Sequence, residues 1–396
     1  MPPEIRRLAR LSVGWAALAD TIPIYPLYAL LFADAGLSGA QISTLFIIWS
    51  VVGIVAEVPT GALADHWSRR GALVAAGVLQ AAGYVLWITV PGYPAFAMGF
   101  VLWGLGGALG SGALEALLYD AMADADVQEH YPRIYGRVSS VGLLSQIPAA
   151  AAATVLYSTG GYDLVGWVSV ACCLGAAFVA TRLPEVRPIN VGVELDDAEV
   201  EPGYLAVLRS GLGEAARRPA VRAAVVAVAL LGALDGLEEY FSLLARDWGV
   251  TTQIVPLAVL GIPLAGAAGA FFGGLASRLR PRTLAVVLAT SVVVFAGAGL
   301  YHRPVGVIGI ALAYGLYQLV LVVTDTRLQQ RIEGSARATV TSVAGVFTDV
   351  SAVFLYAIWS LGRPVLVVAL ALAVATALPF LLGPRRDIRR RPSPEH

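Results

Sequence analysis

The sequence contains no lysine; its 27 basic residues are all arginine and are matched by 27 acidic ones, so the formal net charge is zero. A chain without net charge exerts no bulk pull on nucleic acid. Charge is scarce altogether: 14% of residues are charged, against about 25% in soluble domains. There are two cysteines, Cys172 and Cys173, adjacent within an apolar run, where they read as small core residues rather than a disulfide or metal pair. The four histidines, His66, His130, His302 and His396, are scattered, so no metal site is expected. The glycine cluster from Gly104 to Gly110 lacks a following Lys-Ser/Thr and lies in an apolar run, which excludes a phosphate loop. No cofactor is expected. Also missing is the alternation over segments of about ten residues that marks a membrane β-barrel.

What is present is apolar length. The chain is 58% hydrophobic with a mean hydropathy of +0.74, and its apolar residues fall in blocks of about 20 to 25, enough to cross a hydrocarbon core as helix. Backbone polar groups in lipid need internal partners, so the blocks must be helical. The expected fold class is an all-α membrane protein with twelve transmembrane helices, at about 11–33, 40–61, 71–90, 95–120, 136–157, 163–182, 221–245, 253–276, 283–301, 305–326, 337–360 and 364–383. Ala17-Leu18-Ala19 after Arg6, Arg7 and Arg10 mimics a signal-peptidase site, but the apolar run continues past Phe32 and reads as the first span.

Placing the N-terminus in the cytoplasm puts most arginines on the inner side, with Arg246, Arg303 and Arg363 outside. That is the bias expected of a multi-pass inner-membrane protein with both termini cytoplasmic. The chain divides into an N-terminal half at 1–183, a cytoplasmic loop at 184–219 holding an acidic run from Glu194 to Glu201, and a C-terminal half at 220–396 with a cytoplasmic tail. The halves repeat. Asp34-Ala-Gly36-Leu-Ser38 echoes Asp247-Trp-Gly249-Val-Thr251, Gly61-Ala-Leu63-Ala64-Asp65 echoes Gly273-Gly-Leu275-Ala276-Ser277, and Ala19-Asp20 echoes Leu234-Asp235. Two pseudo-symmetric six-helix halves suit a transporter that rocks about a site near the midplane.

The stretch from Gly61 to Arg70, with Leu63, Ala64, Asp65 and Arg69, resembles the signature of the major facilitator superfamily between its second and third helices. Glu57-Val-Pro59-Thr-Gly61 and Ser111-Gly112-Ala-Leu-Glu115-Ala-Leu-Leu-Tyr119-Asp120 resemble its bacterial drug-exporter-like branch. The chain departs from the pattern at His66 and Ser68. Phe100 and Leu102 stand where exporter branches place a proton-coupling arginine, and the fifth-helix signature survives only as Ile147-Pro148 with Gly142 upstream. The resemblance implies a secondary transporter whose first, fourth, seventh and tenth helices line the cavity. It also implies a cytoplasmic conformational gate of Gly61, Asp65, Arg69 and Arg70 with Asp120 as the acidic partner.

Ionisable residues inside spans cost about 2.5–3.5 kcal/mol on insertion scales and are functional candidates by default. Asp20, Asp235, Glu238, Glu239 and Glu115 are therefore the expected proton-coupling or substrate-binding groups, set against the plainer reading of hydrogen bonds that tie helices together. Tyr25, Tyr28, Tyr317 and Gln318 are the cavity-lining candidates, the aromatic ones suited to cation–π contact. The leading function is proton-coupled efflux of a small amphipathic or cationic organic compound by a monomer whose partners are substrate, protons and the bilayer. Uptake of a nutrient or metabolite is the alternative. A receptor or enzyme on the same fold is the reading from another class; no nucleophile or metal constellation supports it.

Overall fold

A computed structural model describes residues 2–66, 68–184, 213, 217–276, 278–332 and 337–383, with the side chains of 58, 61–66, 337 and 338 outside the description. The expected acidic run of the central loop and the arginine tail therefore lie outside the described residues, as do the side chains of Gly61 and Asp65.

Every regular element among the described residues is helical. The first group comprises α1 (Pro3–Asp20), α2 (Tyr28–Asp34), α3 (Gly39–His66), α4 (Arg69–Thr89), α5 (Tyr93–Gly110), α6 (Ala113–Asp124) and α7 (Tyr131–Ala180). The second comprises α8 (Pro219–Ala233), a 3₁₀ segment Leu234–Tyr240, α9 (Phe241–Asp247), α10 (Val255–Leu275), α11 (Pro281–Tyr301), α12 (Gly306–Arg331), α13 (Arg337–Ser360) and α14 (Pro364–Leu382). Ten stretches among the described residues are long and apolar enough to cross a membrane.

Three expected spans are interrupted, each for a local reason. The first breaks after Asp20, where Pro23 and Pro26, three residues apart, cannot donate backbone hydrogen bonds and disfavour helical geometry in the residues before them. The freed Ile24 N–H donates to Ser169 Oγ at 3.0 Å, so α7 satisfies the break. The fourth breaks at Ser111-Gly112, where Gly112 adopts φ +68°, a conformation glycine takes at no steric cost. In the seventh, α8 tightens into the 3₁₀ segment that carries Asp235, Glu238 and Glu239. The element α7 is bent back on itself where Gly160 and Gly161 leave helical geometry, Gly161 at φ +61°.

Small residues set the helix crossings. A Cβ on Gly83 would stand 2.8 Å from Gly99 O, and one on Gly269 would stand 1.9 Å from Gly315 O, so α4–α5 and α10–α12 approach backbone to backbone. Within the first group α4 packs on α5 and α7, α1 on α7, and α3 on α5; within the second α12 packs on α10, α11 and α8, and α8 also packs on α13 and α14. The pairs α3–α13, α7–α10 and α2–α9 join the groups.

The apolar core is shared at one end and divided at the other. At the end bearing Asp34, a single cluster joins Tyr28, Phe32, Phe46 and Phe100 of the first group to Tyr240, Trp248 and Tyr356 of the second. At the end bearing Arg69, the first group has its own cluster around Leu73, Leu117 and Leu183. The second group has separate clusters around Leu288 and Leu378 and around Leu328 and Val340.

Candidate functional site

A cavity of about 570 Å³ lies between the two groups. Its charged lining consists of Asp20, from the break after α1, and Glu238 and Glu239, from the 3₁₀ segment. A second space of about 390 Å³ runs into the first group and shares Asp20, Tyr25, Gln80 and Gly107 with the cavity. Among the described residues no basic side chain lines either space. The acids sit at helix interruptions in the first and seventh expected spans. Interrupted segments in corresponding positions of two repeats are where transporter sites form.

Asp20 is exposed to this space. Its carboxylate lies against Gly142 of α7, where a Cβ would come 2.7 Å from Oδ2. The aromatic wall beside it is ordered. The Tyr25 and Trp103 rings lie 5.5 Å apart, and Trp103 stacks on Trp49 at 5.1 Å and 24°. All three rings line the cavity. Tyr28 borders the cavity, but its ring is buried against Phe32, Phe46, Trp87 and Phe100.

Asp235 is held in a network rather than free in the cavity. The Tyr314 hydroxyl is 2.9 Å from Asp235 Oδ1 and 3.2 Å from Glu238 Oε2. Gln318 Nε2 donates to Asp235 Oδ1 at 3.0 Å and to the Tyr314 oxygen at 2.9 Å. Tyr317, one turn away on α12, is buried and donates to Leu231 O at 2.9 Å. It borders a small apolar pocket of about 50 Å³ within the second group instead of the main cavity. Glu239 joins the cavity wall without the partners its neighbours have, and the Tyr240 hydroxyl beside it donates to Ser43 Oγ at 2.8 Å across the two groups.

The remaining expected residues lie toward the Arg69 end. Glu115, in the first turn of α6, accepts from the Tyr135 hydroxyl at 3.2 Å and lines neither space. Arg69 pairs with Asp120, tying α4 to α6 within one group. Arg70 follows it at the start of α4. Ser68, a departure from the family pattern, caps α4 by accepting from Gly71 N–H at 2.9 Å, which satisfies an orphan donor of the first turn.

Two features escape sequence reading. Gln80 adds an amide to both spaces; a lone glutamine in an apolar run gives no sign of its facing. At the opposite end, Asp34 pairs with Arg246 of the second group and accepts from the Tyr162 hydroxyl at 2.6 Å. The repeat around Asp34 and Asp247 marks that corner, but which arginine it meets depends on how the groups dock.

An all-helical bundle with broken helices, a charged cavity between two helical groups and ten long apolar stretches among the described residues is the architecture of a polytopic membrane protein. The sequence matches the Major Facilitator Superfamily over residues 11–356, and the chain belongs to that superfamily. It is 27% identical over 278 residues to an uncharacterized MFS-type transporter of Mycobacterium tuberculosis, the match covering 68% of this chain and 65% of that protein. Among solved structures it is similar to the nucleoside transporter NupG (TM-score 0.69, 12% identity, 96% of this chain and 98% of that one). It is also similar to the POT family transporter PepTSo (TM-score 0.69, 11% identity, 95% and 97%). A bacterial homologue of the iron transporter ferroportin in an inward-facing state gives a TM-score of 0.66 at 14% identity, over 96% and 97%. These likenesses show the fold. The chain is a multi-pass membrane protein of this superfamily.

Proposed function

We propose that the chain is a secondary active transporter of the bacterial inner membrane that exports a small amphipathic or cationic organic compound in exchange for protons. It crosses the membrane twelve times, with α1–α2, α5–α6 and α8–α9 each counted as one crossing and α7 as two. Residues 1–183 and 220–396 are its two halves, joined by the cytoplasmic segment 184–219, and both termini are cytoplasmic. It works as a monomer by alternating access.

The observation that carries this reading is the cavity between the groups, with three carboxylates, an aromatic wall and, among the described residues, no basic lining residue. Uncompensated negative charge in low dielectric attracts a cation far more strongly than it would in water. The Tyr25, Trp49 and Trp103 faces add cation–π and apolar contact. Carboxylates that bind a cation can also bind a proton, so one site serves both partners of an exchange. An anionic or strongly polar cargo would lack a counter-charge here.

The test uses membrane vesicles with an imposed pH gradient and ethidium as a flat aromatic cation. Asp20→Asn and Asp235→Asn are expected to insert normally and to abolish gradient-driven ethidium movement. Full retention in both variants would remove Asp20 and Asp235 from the mechanism.

A further inference from the structure

The glycine cluster of α5 is not a phosphate loop, and three of its members surround a space instead. Gly106, Gly107 and Gly110, with Gly77 of α4, line the space of about 390 Å³ inside the first group. Two of these four serve packing. A Cβ on Gly77 would stand 2.8 Å from Cys173 O, and one on Gly106 would stand 2.9 Å from Ala76 O, so α4 meets α7 and α5 backbone to backbone there. The other two do not. A Cβ on Gly107 would meet nothing within 4 Å, and one on Gly110 would meet only Ala76 Cβ at 3.5 Å, an ordinary contact. Neither residue has a positive φ. No crossing and no backbone conformation calls for glycine at these positions, so what they contribute is open volume.

That volume has a chemistry of its own. Among the described residues Asp20 is its one charged lining side chain, joined by the Gln80 amide, the Ser111 hydroxyl and the rings of Trp15 and Tyr25. A carboxylate with no basic side chain in the same lining, beside aromatic surface, suits an alkylated ammonium: the charge meets the acid and the alkyl groups meet the rings. Asp20, Tyr25, Gln80 and Gly107 also line the main cavity, so they form the neck where the two spaces meet. Trp49 and Trp103, which stack on each other, lie on the cavity side of that neck only. Gln80 at the neck and Leu73 at the far end are two turns apart on α4, which gives the inner space a depth of about 10 Å.

We propose that the space inside the first group is a second binding compartment, which receives an alkylammonium arm of the cargo while the cargo's aromatic body stays in the cavity between the groups; this rests on the reading of that cavity as a site for organic cations. Asp20 at the neck meets the charge of the arm. Gly107 and Gly110 are specificity-determining residues, because the room they leave sets the length and bulk of the arm that enters. The preferred cargo is an aromatic compound that carries an alkylated ammonium on a short alkyl chain.

Ethidium and propidium test this, because they share a phenanthridinium body. Propidium carries a propyl arm ending in diethylmethylammonium where ethidium has an ethyl group, so the pair isolates the arm. Fluorescence anisotropy of each dye with the purified full-length protein in detergent, against empty micelles, gives both affinities. The wild type is expected to bind propidium about tenfold more tightly than ethidium. Gly110→Leu fills the compartment from a position that does not border the main cavity, and is expected to bring the ratio of affinities to unity. The double variant Gly107→Ala, Gly110→Ala adds methyl groups that force no neighbour to move, so it folds as the wild type does. It narrows the neck and the compartment, and its ratio should fall roughly threefold. A ratio near unity in the wild type, or a wild-type ratio that persists in both variants, overturns the compartment while ethidium binding leaves the cavity reading standing. Binding of neither dye to the wild type overturns both.

Discussion

Asp20 owes its chemistry to what surrounds it. It ends α1 ahead of Pro23 and Pro26, and the small residue opposite, Gly142, leaves room for its carboxylate. Gly142→Ala would place a methyl 2.7 Å from Oδ2. The carboxylate is the movable end of its side chain and can swing away, so folding is expected to be unaffected. The variant should keep wild-type expression and melting temperature while its ethidium affinity, read by tryptophan quenching from Trp49 and Trp103, falls. Unchanged affinity would mean that Asp20 does not engage the ligand in this position. The acids themselves were legible in the sequence, since a carboxylate in an apolar run is costly and stands out. Tyr314 and Gln318 were not legible as partners of Asp235. They lie about 80 positions away in the chain, and only the docking of α12 on the 3₁₀ segment brings them together.

At the scale of elements, breaks and close crossings carry the argument. The break of the first span was not read from the sequence, where 11–33 passes as one apolar run: prolines alone do not decide it, since Pro148 and Pro263 stay inside α7 and α10. The 3₁₀ segment Leu234–Tyr240 is not legible either, because Asp-Gly-Leu-Glu-Glu has no proline and a helix would accept it. The turn between the arms of α7 falls at Gly160-Gly161, inside the gap expected between 136–157 and 163–182. The crossing of α10 and α12 rests on Gly269, where an added Cβ would meet the Gly315 carbonyl at 1.9 Å. Backbone cannot move aside as a side chain can, so Gly269→Ala is expected to cost about 1–3 kcal/mol, the usual range for overpacking. Gly274, five residues on, faces open space, and Gly274→Ala should be neutral. Melting of the two variants in detergent checks this; equal melting temperatures would contradict the backbone-limited crossing.

The whole molecule is asymmetric between its ends. A common core, the Tyr240–Ser43 hydrogen bond and the Asp34–Arg246 pair join the groups at one end, while the cores at the Arg69 end are separate. Under the arginine-based orientation, the closed end faces outward and the separated end inward. The family signature in the sequence points to the Arg69 end, yet the Asp34–Arg246 pair that joins the two groups is at the other end. Sequence could not supply that, since conformational state is a property of docking. The Asp34–Arg246 pair is half-exposed, and such pairs contribute about 0.2–1 kcal/mol, so Arg246→Ala should raise the population open at the Asp34 end by up to roughly fivefold. Pulsed EPR between labels at Ala40 and Leu361, in a background with Cys172 and Cys173 replaced by alanine, reads this as a longer-distance population. An unaltered distribution would assign the closed end to the aromatic core alone.

Exchange of an organic cation for a proton through the carboxylate-lined cavity is the central claim. Proteoliposomes containing the purified protein and a luminal pH dye, with no imposed pH gradient, test it directly. An inward ethidium gradient should alkalinise the lumen as protons leave, and Asp20→Asn should abolish the signal. Ethidium entry without any change in luminal pH, or with acidification, would contradict proton–cation exchange.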